Sequence, residues 1–158
     1  MEILEDAHEI IKIKQIKESL KYSNAKPSKC KKIYWIYAIR NQGLYPNSSI
    51  DSGKFIFFCD HFEIDNIWLQ IKKATEEGLL GDVSKCSTKT AIKMRKNQNR
   101  SFKQKKKNNL HAICIYTYSD KDIHDKYRIE KQIMLFIKNK SLYYKTNQLT
   151  LQNIKLKK

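Results

Sequence analysis

Three runs of β-branched and aromatic residues, at 33–39, 54–59 and 112–117, are too short for helices and too apolar for loops, so they read as strands. What lies between them is too long for tight hairpins. After the second run, Asp60 and Glu63 form a helix-start pair, and Ile64, Ile67, Trp68, Ile71 and Ala74 follow at the spacing of one helical face. Gly78 supplies the stop, with Leu79 and Leu80 placed to fold back on the last turn. Residues 82–87 predict a short third strand. Ser119 or Asp120 opens a helix lined by Ile123, Tyr127, Ile133, Met134, Phe136 and Ile137, and residues 141–145 make a last strand. At the start, Ile3, Leu4, Ala7, Ile10, Ile11 and Leu20 predict an amphipathic helix over 2–22. Helix, strand, strand, helix, strand, strand, helix, strand is an α+β order, expected to give a mostly antiparallel sheet with helices on one face.

The 158 residues suit one α+β domain at 33–150, preceded by the helix and connector at 1–32 and followed by a basic tail at 151–158. No run of apolar residues is long enough to span a membrane, and residues 1–6 lack the positive flank of a secretory signal. Cys30, Cys59, Cys86 and Cys114 are widely spaced with no Cys-x-x-Cys pair, which argues against a metal site or a disulfide framework. Reduced thiols in a cytoplasmic or nuclear setting are expected.

A formal charge of +16 favours partners that carry phosphate. Much of it sits in residues 89–107, with nine basic side chains and no acidic one. Such a stretch buries too little apolar surface to offset its ordering entropy, so 89–109 is expected to be a disordered basic insert. Near strand ends, Arg40, Lys54, Lys85, Ser87, Thr88, Thr117 and Lys145 offer cations and hydroxyls suited to phosphate, and Tyr37, Tyr116 and Tyr144 offer faces for base stacking. The expected function is binding of nucleic acid, most of all RNA, or of a phosphorylated nucleotide. No cofactor is implied, because the glycine-rich and metal-binding signatures of the common cofactor folds are absent. A third reading is a protein-interaction module that uses the first helix.

Several phrases in one order extend this reading: Trp-Ile-Tyr-Ala at 35–38, Gly-Lys-Phe at 53–55, the helix with Trp68, Gly-Leu-Leu-Gly at 78–81, Ser-Lys-Cys-Ser-Thr at 84–88, Ile-Cys-Ile-Tyr-Thr at 113–117 and Leu-Tyr-Tyr-Lys at 142–145. Together they resemble the basophilic-leukaemia-expressed protein family. The resemblance implies a fold similar to the cap-binding translation initiation factors, a curved antiparallel sheet backed by helices. It also brings a phosphothreonine lyase label. That chemistry would ask for Lys85 as base, His61 or His111 as acid and Arg40 as a phosphate clamp.

Overall fold

The computed structural model describes residues 2–97 and 109–148, with side chains from residue 10 onward. Its elements are α1 (Glu2–Leu20), β1 (Trp35–Ile39), β2 (Gly53–Cys59), α2 (Ile64–Glu76), β3 (Val83–Ser87), α3 (Lys89–Lys96), β4 (His111–Thr117), α4 (Ile123–Met134) and β5 (Tyr143–Thr146). The strands form one antiparallel sheet in the order β1-β3-β4-β2-β5. This is the α+β sheet backed by helices that the element order predicts. No helix among the described residues is long and apolar enough to cross a membrane.

Alternation sets the two faces. In β2, Phe55, Phe57 and Cys59 are buried while Lys54, Ile56 and Phe58 between them are only partly so. The register carries that parity across the sheet: Ile36 faces Cys86, Cys86 faces Ile113 and Ile113 faces Phe57, all on the side covered by α2 and α4. β4 lies in the middle and is buried on almost every residue, as its unbroken apolar run requires.

Helix α2 follows its expected face closely, burying Ile64, Ile67, Trp68, Ile71, Ala74 and also Thr75. Asp60 accepts from the backbone N–H groups of Phe62 and Glu63, whereas Glu63 turns away to pair with Lys140 at 2.6 Å. Only half of the start signal is therefore used as a cap. At the other end, Leu79 N–H reaches Ala74 O and Gly78 N–H reaches Thr75 O, with Gly78 at φ +80°, the paired bonds of a Schellman stop. Leu80 is fully buried by this turn, while Leu79 stays exposed.

The other helices correct the sequence reading. The cap of α4 is Asp122, which accepts from Asp125 N–H, not Ser119 or Asp120. Its core residues are Ile129 and Ile133, continued by Ile137, while Ile123, Tyr127 and Met134 face solvent. A single stripe at i, i+4 suffices because the helix meets the sheet along one line. Residues 89–96, placed in the disordered insert, form α3: buried Ala91 anchors it, and Arg95 donates to Ser87 Oγ at 3.0 Å. The rest of the insert, 98–108, and the tail at 151–158 lie outside the described residues.

Helix α1 departs furthest from expectation. It lies on the opposite face of the sheet from α2 and α4, beside the edge strand β1. Ser19 Oγ accepts the Tyr37 N–H at 2.7 Å, satisfying a donor that an edge strand leaves open, and Tyr37 OH donates to Gln15 Oε1 at 3.2 Å. The docked side is thus Lys12, Gln15, Ile16 and Ser19, whereas Ile10, Ile11 and Leu20 of the expected apolar stripe are exposed. The remaining members, Ile3, Leu4 and Ala7, fall among the side chains outside the description.

A lysine and aromatic face beneath the first helix

The parity that buries Phe55 and Ile113 turns Lys85, Cys114, Tyr116 and Lys54 toward α1. Register places Tyr37 opposite Lys85, Lys85 opposite Cys114, and Tyr116 opposite Lys54, which in turn faces Lys145. Diagonal neighbours on one sheet face are within reach of long side chains. Lys85 Nζ accordingly stands 4.1 Å from the Trp35 ring centre and 5.6 Å from that of Tyr116. Lys54 Nζ is also 5.6 Å from the Tyr116 ring, and Lys12 Nζ reaches it from α1 at 5.1 Å.

Three ammonium groups therefore share one phenol ring. The ion pairs among the described residues use Lys72, Lys73, Lys121, Arg128 and Lys140, and none of these three lysines is in one. Burial lowers the Lys85 pKa to about 8; Cys114 pulls it the other way, while Lys54 and Lys12 lower it further. Tyr116 is pushed well above the usual phenol range, first by burial, then by Cys114, Tyr37 and Asp82. Cation–π attraction offsets part of the repulsion among the lysines, and an anion would offset more.

Beside this cluster, between α1 and β1, runs a cleft of about 250 Å³ bordered by Gln15, Glu18, Lys32, Tyr34, Trp35 and Tyr37. Its aromatic wall continues into the lysine cluster through Trp35. A second cavity of about 530 Å³ follows α3, where Lys31, Lys89, Lys93 and Lys96 surround Thr90, Ile92 and Met94.

The other candidates are placed elsewhere. The Arg40 guanidinium donates to the carbonyls of Leu80 (2.6 Å), Gly81, Gln42 and Leu44 and lies 4.8 Å over the Tyr45 ring. It ties the loop after β1 to the turn after α2. Arg40→Ala is expected to cost roughly 1–3 kcal/mol in urea denaturation while leaving anion affinity at the lysine cluster unchanged. Unaltered stability would contradict this structural role.

Ser87 Oγ accepts from Ala112 N–H, and Thr88 Oγ1 donates to the carbonyls of Ile33 and Tyr34. Thr117 and Tyr144 share a hydrogen bond of 2.8 Å on the core side, where Tyr144 meets Phe55 edge-on. His111 is buried on the core side with Nδ1 2.7 Å from Ser87 O, and burial chiefly holds its pKa below the usual value. His61 is exposed in the turn before α2, against Phe62. Neither histidine shares the Lys85 face, so the lyase arrangement of Lys85 with His61 or His111 is not brought together.

The family model for basophilic leukemia-expressed protein Bles03 matches residues 42–152. The chain belongs to this family. No curated protein matches it. The Bles03 match contains Lys54, Lys85, Tyr116 and Lys145, the sheet half of the cluster. Lys12, Gln15, Trp35 and Tyr37, which complete it from α1 and β1, stand before the match begins.

Within this Bles03 chain, the sequence alone points to Lys54, Lys85, Tyr116 and Tyr37 but not to Lys12, Gln15, Glu18 or Trp35. A signal for the helix was present: Lys12, Gln15 and Ser19 recur at i, i+3 and i+7, a polar stripe as regular as the apolar one that was followed. Trp35 and Tyr37 likewise alternate in direction with the core residues Ile36 and Ala38, and α1 covers Tyr37 from the other side. Trp68, by contrast, is in the core as expected.

Proposed function

We propose that this face binds a phosphorylated nucleotide, either free or as a unit of an RNA strand. The phosphate is held by Lys12, Lys54 and Lys85, and the base stacks in the aromatic cleft beside them. The observation that carries this reading is the gathering of three lysines around Tyr116, with no carboxylate among the described residues paired to any of them. Gathering like charges is unfavourable in the free protein, so an anion that neutralises them gains affinity from the arrangement. Trp35 and Tyr34, both partly exposed, add faces that accept any base, and Glu18 and Gln15 add acceptors at its edge. The exposed Lys89, Lys93 and Lys96 of α3 offer further phosphate contacts to a longer strand. The enzyme reading has no acid beside Lys85 to support it. Exposed Ile10, Ile11, Ile13 and Leu20 on α1 favour the alternative of a protein partner.

Trp35 provides the test, because the only other tryptophan, Trp68, is buried in the core. Tryptophan emission is expected to change on titration with a nucleoside triphosphate, less with the diphosphate, and little with the nucleoside. Affinity should fall steeply with salt, and Lys54→Glu should weaken it by roughly 10- to 100-fold. Equal affinity for nucleoside and triphosphate, or an unaffected Lys54→Glu variant, would remove the reading.

A further inference from the structure

We propose that Lys85 is a nucleophilic amine that forms an imine with an anionic aldehyde whose phosphate is held by Lys12 and Lys54. This rests on the phosphate site described above and adds a covalent step at its centre.

The geometry is that of an amine prepared to react. The Lys85 ammonium has no ion-pair partner among the described residues and stands over the face of Trp35, a position that desolvates it without tying up its nitrogen. Other groups on this face are Lys12 and Glu18 from α1, Lys54 from β2, Cys114 and Tyr116 from β4, Trp35 and Tyr37 from β1, and Lys145 from β5. The carboxylate of Glu18 borders the neighbouring cleft and Asp82 acts on Tyr116, and among the described residues neither forms an ion pair with any of the three lysines. A lysine that is both desolvated and beside other cations exposes its lone pair near neutral pH. A Lys85 pKa of about 8 agrees with that placement.

The same two neighbours select the substrate. Lys12 and Lys54 attract a dianionic group, so the carbonyl compound best suited to reach Lys85 carries a phosphate. The Lys85 nitrogen lone pair attacks the aldehyde carbon and forms the C–N bond. Proton transfer from nitrogen to oxygen gives the carbinolamine, and loss of water leaves the C=N bond. Nothing is oxidised or reduced, and the phosphate is retained.

Pyridoxal 5′-phosphate is a suitable probe, with pyridoxal as the same aldehyde lacking phosphate. The full chain is incubated with each, reduced with borohydride and mapped by peptide mass spectrometry, with pyrophosphate as competitor. Lys85 is expected to be labelled at least tenfold faster than other lysines and at least tenfold faster by the phosphorylated probe. Pyrophosphate should suppress the reaction, and the rate should climb as pH rises toward about 8. Lys85→Arg, which keeps the charge, should lose the adduct while still binding pyrophosphate. Lys54→Glu should lose the preference for the phosphorylated probe.

Labelling spread evenly over lysines, with pyrophosphate still shifting Trp35 emission, would overturn the nucleophile and leave the phosphate site standing. Equal labelling of Lys85 by both probes with no effect of pyrophosphate would overturn the phosphate site and, with it, this proposal. No labelling and no pyrophosphate response would overturn both.

Discussion

Lys85→Met is expected to make the protein more stable at neutral pH and to weaken phosphate binding at the same time. Methionine matches the length of the lysine stem and suits the space between Trp35 and Tyr116, while removing a charge that burial and two neighbouring ammonium groups disfavour. The folded-state pKa, about 8, lies below the ordinary lysine value of 10.5. Between those values the unfolded chain binds more protons than the folded one, so the lysine form gains stability as pH rises through this window and loses it as pH falls. Below about pH 8 the cost is fully present. With allowance for solvent reaching a partly buried amine, the variant should exceed the parent by on the order of 1–2 kcal/mol at pH 7. That gap should close near pH 10.5. Nucleotide affinity should drop roughly 10- to 100-fold over the same comparison. Urea melts at pH 7 and pH 10, beside a tryptophan titration, check both halves. A variant less stable than the parent by the same amount at both pH values would show that Lys85 serves packing alone.

Gly81→Ala should produce the largest stability loss, because a Cβ at this position falls on the backbone carbonyl oxygen of Tyr116, far inside van der Waals contact. That carbonyl belongs to the central strand, where Tyr116 is registered against Lys54, and it has no side-chain freedom with which to retreat. The Gly81 carbonyl also accepts from Arg40. Relief requires the turn after α2 to move off the sheet, straining Arg40 and the buried Leu80 together. A loss of about 3–5 kcal/mol is expected, a large share of the stability of a domain this size. The readout is the urea midpoint. The Tyr116 ring should shift with its backbone, so the residual folded fraction should bind nucleotide poorly. Near-parental stability would mean that the turn yields where the geometry holds it rigid. The Gly-Leu-Leu-Gly phrase thus has a physical content at each end: Gly78 turns the chain at positive φ, and Gly81 lets it pass against β4.

Much of this was legible in the residues themselves. The alternation of Phe55, Phe57 and Cys59 with Lys54, Ile56 and Phe58 specifies two faces for β2 whatever it pairs with, since side-chain direction in a strand is a local property of period two. The spacing of Ile64, Ile67, Trp68, Ile71 and Ala74, closed by Gly78, specifies α2 for the same kind of reason. Lys54, Lys85 and Tyr116 were recognisable as polar or amphipathic residues within strands, and so as members of an accessible face.

What the tertiary structure alone decided is which of those residues meet. The order β1-β3-β4-β2-β5 sets strands distant in sequence side by side, and only that adjacency puts Lys85 and Lys54 around one tyrosine. Arg40, Ser87 and Thr88 look as available as Lys85 in the sequence, yet backbone groups from other segments occupy them, because buried carbonyls and N–H groups must find partners. Helix α1 shows the limit most clearly. Its sequence offers both an apolar and a polar stripe, and the choice between them rests on the surface it meets. That surface, with the open N–H of Tyr37 and the ring of Tyr116, accepts Ser19 and Lys12. Local pattern therefore determined the faces, and long-range pairing determined which faces became a site.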